Sequence, residues 1–132
     1  MTTKVLLVDD HPAMLLALRN LLEKQIPFEV VGIAGDGDDC FTKAQELMPD
    51  LIVLDLDMPK TDGFDVIRRL KIKLPEARLL VLSSLDEQVY GGRVRSLGGH
   101  GFINKTVATY KSRLYEKLGV NNIADLMNFC RH

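Results

Sequence analysis

The sequence predicts an α/β fold, one parallel sheet of five strands with helices on both faces, and three observations predict it. Short apolar, β-prone runs alternate with stretches whose apolar residues recur at helical spacing. The runs are almost wholly apolar, as strands buried on both faces are. The first four stop at or just before Asp, Gly or Ser, residues that turn a chain.

KVLLV at 4–8 is the first strand, closed by Asp9-Asp10 and turned at His11-Pro12. Met14, Leu15, Leu18, Leu21 and Leu22 follow at helical spacing, with Pro12 suited to the helix start and Ile26-Pro27 ending it. FEVVGI at 28–33 is the second strand, and Asp36 or Asp38 can cap a helix over 40–47. The glycines at 32, 35 and 37 have the wrong spacing and place for a dinucleotide fingerprint. LIVL at 51–54 is the third strand, with Asp55 at its carboxyl end and Asp57 just beyond; Met58-Pro59 and Asp62-Gly63 then force a loop. Phe64, Val66, Ile67 and Leu70 mark a third helix, stopped by Pro75. Residues 79–82 are the fourth strand, ending in Ser83-Ser84. Asp86-Glu87 open a fourth helix that holds Gly91-Gly92, each costing about 1 kcal/mol relative to Ala, so a loose helix is expected. Gly98-Gly99 closes it, and Phe102-Ile103 form a short fifth strand. Right-handed crossovers join such units, and the flavodoxin-like order 2-1-3-4-5 is expected because it sets the first and third strands, which bear Asp10 and Asp55, side by side at a switch point.

That order crowds Asp9, Asp10, Asp55 and Asp57 at the carboxyl edge of the sheet, where open α/β sheets bind ligands. Carboxylates that close repel one another and either keep a proton or are neutralised by a bound cation. Their hard oxygens favour magnesium or calcium. A carboxylate beside such an ion is a competent nucleophile toward a phosphoryl group, because the ion screens two anions from each other. Asp55 is the candidate nucleophile. Asp9 also suits the cap of the first helix, and His11 reads as a loop residue rather than a ligand.

The chain is long enough for one domain with its own core. Its 17 Lys and Arg nearly balance 18 Asp and Glu, but residues 105–132 carry five basic and two acidic side chains against 12 and 16 in 1–104, so the end is locally cationic. Cys40 and Cys130 form no ligand-spaced cluster and read as reduced, buried thiols. The start lacks a long apolar segment and no run approaches a membrane span, so a soluble cytoplasmic protein is expected.

VDDH at 8–11, DLIVLDLDMPKTDG at 50–63, LSS at 82–84 and GFINK at 101–105 resemble, in order and spacing, the receiver domain of two-component response regulators of the LuxR/NarL type. The resemblance implies that Asp55 accepts a phosphoryl group from a phosphohistidine on a sensor histidine kinase, or from a small acyl phosphate. It implies Mg²⁺ bound by the carboxylates of Asp10 and Asp55 and the backbone carbonyl of Asp57, with Asp9 acting through a water. Lys105, the Ser83 hydroxyl and the Ser84 backbone would hold the phosphoryl oxygens, and Ser84 competes with Ser83 for that role. Ser83 and Phe102 would form a switch passing the change to the surface of the fourth helix, fifth strand and following helix. Phe102 reads equally well as plain core. The chain would be a signalling phosphoacceptor, not a turnover enzyme; a hydrolase would need a general acid or a substrate cap, and neither is evident. The other readings are an unphosphorylated interaction scaffold and a DNA-binding transcriptional regulator.

Beyond the 1–105 receiver core, Lys105 runs straight into TVATYKSRLYEKLGVNNIADLMNFC, which resembles the last two helices of a LuxR-type helix-turn-helix domain. The chain therefore reads as a receiver joined through an internal deletion to a C-terminal helical segment, 106–132. Thr106 can cap a helix with the stripe Val107, Tyr110, Leu114 and Leu118, ended by Gly119; Asn122 can cap a second with Ile123, Leu126, Met127 and Cys130. Neither stripe can stay wet. The first is expected either to replace the fifth receiver helix, as an extra C-terminal helix, or to pair with a second copy in a homodimer. Lys111, Arg113 and Lys117 suit DNA phosphate contacts, but a recognition helix needs its partner helix to hold it in the major groove, and that helix is missing.

Overall fold

The computed structural model describes residues 2–24, 28–83 and 87–104. In chain order these form β1 (Thr3–Val8), α1 (Pro12–Glu23), β2 (Phe28–Ala34), α2 (Gly37–Leu47), β3 (Leu51–Asp55), α3 (Gly63–Lys73), β4 (Arg78–Ser83), α4 (Glu87–Leu97) and β5 (Gly101–Asn104). The sheet is wholly parallel with order β2-β1-β3-β4-β5, as the alternation predicts. The predicted end of α1 at Ile26-Pro27, the Asp86 start of α4 and both helices over 106–132 lie outside the described residues.

Strand side chains alternate between two cores. Leu6, Val8, Ile52, Leu54, Leu79 and Val81 face α2, α3 and α4, meeting Cys40, Phe41, Val66, Ile67, Leu70 and Val94. Val5, Leu7, Leu51, Val53, Leu80 and Leu82 face the other way, where Leu18 and Leu22 of α1 pack. All twelve strand residues are buried, so neither face is solvated, and the strands read as continuous apolar runs for that reason.

The helix ends follow from local chemistry. α2 is capped by Asp36, whose carboxylate accepts the Asp39 N–H at 2.8 Å. α3 is capped by Asp62, which accepts from Phe64 and Asp65. It ends at Lys73, since Leu74 precedes Pro75 and is pushed out of helical backbone angles. Asp9 does not cap α1. The cap position is His11, directly ahead of Pro12, and it makes no side-chain capping bond.

α4 runs unbroken through Gly91-Gly92. It is tied to α3 by the Arg93 guanidinium, 4.0 Å above the Phe64 ring, and by the contact of Phe64 with Tyr90. A Cβ at Gly92 would meet nothing within 4 Å. Gly92→Ala is therefore expected to stabilise the fold by about 1 kcal/mol, read as a higher urea midpoint at unchanged slope.

At the edge of the sheet remote from the acids, Asp50 ties three strands. Its N–H donates to the Lys4 carbonyl at 2.8 Å, its carbonyl accepts from the Arg78 N–H at 2.9 Å, and its carboxylate accepts from the Lys4 N–H at 2.9 Å. Nearby, His100 Nδ1 accepts the Leu79 N–H at 3.0 Å, which fixes a neutral ring. Burial first, then Lys71 and Arg78, lower the His100 pKa to about 4. The unfolded chain, with an ordinary histidine near 6.5, binds more protons between those values, so stability falls as pH drops from about 6.5 toward 4. His100→Asn keeps an acceptor but does not titrate. Its melting temperature is expected to fall less than the wild type's between pH 7 and pH 5, and equal losses would refute the assignment.

Candidate functional site

Register brings the acids together. Val8 of β1 pairs with Leu54 of β3, so Asp9 and Asp55 stand at the same level where the two strands end. One ligand atom from each of Asp9, Asp10, His11 and Asp55 lies within 4.8 Å of all the others. Asp55 and Asp9 are buried, at 0% and 1% exposed, while Asp10 faces solvent.

His11, in the loop ahead of α1 as expected, also lies against this cluster. Its Nδ1 lies 2.9 Å from Asp10 Oδ1, 3.0 Å from Asp9 Oδ1 and 3.8 Å from Asp55 Oδ2. Asp9 Oδ1 also accepts the His11 backbone N–H at 2.9 Å. The same loop that turns the chain into α1 thus places an imidazole among three carboxylates. Its position next to two acids was the only sequence signal for this.

Asp57 is held by two contacts. Its backbone N–H donates to Asp55 Oδ1 at 2.9 Å, which orients the Asp55 carboxylate. Its side chain turns toward β4, where Asp57 Oδ1 accepts from the Ser83 hydroxyl at 2.8 Å. Ser83 is fully buried. This side-chain contact is absent from the sequence reading, which placed Asp57 among the crowded acids and gave its carbonyl to the ion. The signal lay in register: Asp55 pairs with Leu82, so Ser83 stands level with the residues just past Asp55.

Phe102 lies on β5 opposite Val81, already inside and 6% exposed, within the core shared with α3 and α4. Ser84, Lys105, Lys111, Arg113 and Lys117 lie outside the described residues, as does Cys130. Cys40 is buried in α2, and its thiol is pushed up to about 12 by burial and by Asp39 and Asp36, as an inert thiol requires. No helix among the described residues is long and apolar enough to cross a membrane.

The site's chemistry matches a known family. The response regulator receiver domain matches this chain over residues 5–118. The chain belongs to that family. Among relatives, the virulence-factor transcription regulator BvgA of Bordetella pertussis is 41% identical over 105 residues, 80% of this chain and 50% of BvgA. The response regulator VraR of Staphylococcus aureus is 39% identical over 110 residues, 82% of this chain and 52% of VraR. The chain thus spans about half the length of these relatives. The response regulator domain of Thermotoga maritima CheB superposes with a TM-score of 0.82 at 30% identity, covering 97% of this chain and 98% of its own. The isolated receiver domain of Salmonella enterica RcsB, solved with the phosphomimetic BeF₃⁻, gives 0.74 at 27% identity over 80% of this chain and 79% of its own. The receiver is thus a two-component signalling domain of LuxR/NarL-type kin, and receiver domains bind Mg²⁺ at an acidic pocket.

Proposed function

We propose that this receiver is a Mg²⁺-dependent phosphoacceptor that takes a phosphoryl group from a sensor histidine kinase onto Asp55. The observation that carries the reading is a fully buried carboxylate at the carboxyl end of a central strand, with two more acids within 4.8 Å. Nothing in ordinary packing rewards such an arrangement, because like charges held that close destabilise one another.

The donor set fits a hard divalent ion. Asp9 Oδ2 is buried with no hydrogen-bond partner among the described residues, as an oxygen reserved for an ion or its water would be. Asp10 and Asp55 would hold Mg²⁺ directly, with the Asp57 carbonyl as a third ligand and Asp9 acting through a water. The His11 imidazole, 59% exposed, has room to swing out of the cluster. When bound, Mg²⁺ screens the approach of two anions and draws charge from the phosphoryl oxygens.

In the transfer, one Asp55 oxygen attacks phosphorus in line with the P–N bond of a phosphohistidine. The O–P bond forms as the P–N bond breaks, and the electron pair leaves on the imidazole nitrogen; with a proton on the other ring nitrogen of the phosphohistidine, the leaving group is neutral histidine. The Asp57 N–H, 2.9 Å from Asp55 Oδ1, keeps the nucleophile aimed. Lys105, directly after β5, pairs with the phosphoryl oxygens, and the Ser83 hydroxyl and Ser84 backbone donate to others. Ser83 and Phe102 then carry the change toward the surface around α4 and β5. Such a receiver would work in the cytoplasm, facing its kinase.

Residues 106–118 take the place of the fifth receiver helix in this reading, supported by the family match continuing to residue 118. Lys111 and Lys117 then flank the apolar stripe as solvated cations.

The test is intact-mass spectrometry with acetyl phosphate and Mg²⁺. One phosphoryl adduct is expected on the wild type and none on Asp55→Asn. A wild type that stays unmodified under saturating donor would overturn the proposal.

A further inference from the structure

We infer that Asp57 is a positioning residue: its carboxylate holds the Ser83 hydroxyl away from the acceptor and so sets how tightly the site takes a phosphoryl group. The inference rests on Asp55 as phosphoacceptor and adds a regulator to that site.

Ser83 Oγ donates to Asp57 Oδ1 at 2.8 Å, and Ser83 is 0% exposed. A hydroxyl has one proton to donate. It can serve the Asp57 carboxylate or a phosphoryl oxygen on Asp55, not both. The first bond is charge-assisted and buried at its donor end, so it belongs to the stronger class of hydrogen bonds.

Geometry makes the competition direct. Asp55 pairs in register with Leu82, which sets Ser83 one residue beyond the acceptor's level, facing the turn that carries Asp57. The Asp57 N–H is at the same time bonded to Asp55 Oδ1. One residue thus grips the acceptor through its backbone and the serine through its side chain. A phosphoryl group recruits the hydroxyl only by breaking the Asp57 contact. Asp57 therefore favours the unmodified arrangement.

The experiment titrates beryllofluoride, the phosphoryl mimic, at saturating Mg²⁺ into the full chain. The proteins are wild type, Asp57→Ala, Ser83→Ala and the double variant, with Asp57→Asn as the closest-shaped replacement and a thermal melt on each. Asp57→Ala is expected to bind about tenfold tighter than wild type, and Asp57→Asn about threefold, since the amide oxygen is a weaker, uncharged acceptor. In the Ser83→Ala background the Asp57→Ala gain should fall to about threefold or less, because only general charge relief remains. An equal gain in both backgrounds would show simple repulsion and overturn the inference. So would weaker binding by Asp57→Ala, which would make Asp57 part of the ion's support. Should Asp57→Ala fail to fold, a tighter or unchanged Asp57→Asn decides for or against. A wild type that binds no beryllofluoride and accepts no phosphoryl group would instead sink the parent reading of Asp55.

Discussion

Asp55→Asn is expected to lose the phosphoryl adduct entirely while keeping its fold. The amide has the size of the carboxylate but no anionic oxygen, so it neither attacks phosphorus nor serves as a charged ligand for Mg²⁺. Because Asp55 is fully buried with Asp9 and Asp10 close by, removing its charge also relieves repulsion. The melting temperature should therefore equal or exceed that of the wild type. Adduct formation by the wild type should stop on chelation with EDTA and return when Mg²⁺ is restored. A variant that still takes a phosphoryl group would move the acceptor to another residue, and an adduct indifferent to chelation would remove the ion.

The second large effect concerns the sheet face opposite α2, α3 and α4. The chain crosses from β1 to β2 through α1, so α1 lies over that end of the sheet, and Leu18 and Leu22 pack there. A helix is about 10 Å wide and strands are about 4.8 Å apart, so one helix shelters about two strands. Leu80 and Leu82 on β4 stand two strands from β1, yet both are no more than 2% exposed. On the proposal that 106–118 replaces the fifth receiver helix, the stripe Val107, Tyr110, Leu114 and Leu118 would give Leu80 and Leu82 their second cover. Leu114→Asp is then expected to cost about 3–5 kcal/mol in urea unfolding, by losing apolar burial and forcing a carboxylate into an apolar seam. Lys111→Glu should change stability by no more than about 0.5 kcal/mol. Equal stability of Leu114→Asp and wild type would contradict this placement, and a wild-type midpoint that rises with protein concentration would put the stripe between two copies instead.

The sheet was legible almost to the residue because its central strands, β1, β3 and β4, carry apolar runs cut off by an acid or a serine. β3 is the clearest case, since Leu51 to Leu54 are all buried and Asp55 ends them. The acids at the ends of the first and third strands pointed to neighbouring strands, and β1 does pair with β3. Contacts between loops did not show. Two acids beside His11 suggest electrostatics, but whether the ring turns inward depends on the Pro12 helix start. The bond from Ser83 to Asp57 needs the register of β3 against β4, which a single chain read linearly does not disclose. Asp9 suggested a cap because acids are favoured at helix N-caps; with Pro12 opening the helix, the cap falls on His11, two residues further along, leaving the carboxylate to the site.

Asp50 bears on the chemistry from the far side of the molecule. By anchoring the entering ends of β1, β3 and β4 through Lys4 and Arg78, it sets the phase of the central strand, and Asp55 lies a set number of pleats downstream. A single inserted residue between the two would reverse which way every later side chain points, turning Ile52 and Leu54 out of their own core and swinging Asp55 off the edge it shares with Asp9. The short count from Asp50 to Asp55 is thus a length standard for the whole domain, and it tolerates substitution far better than a change of length.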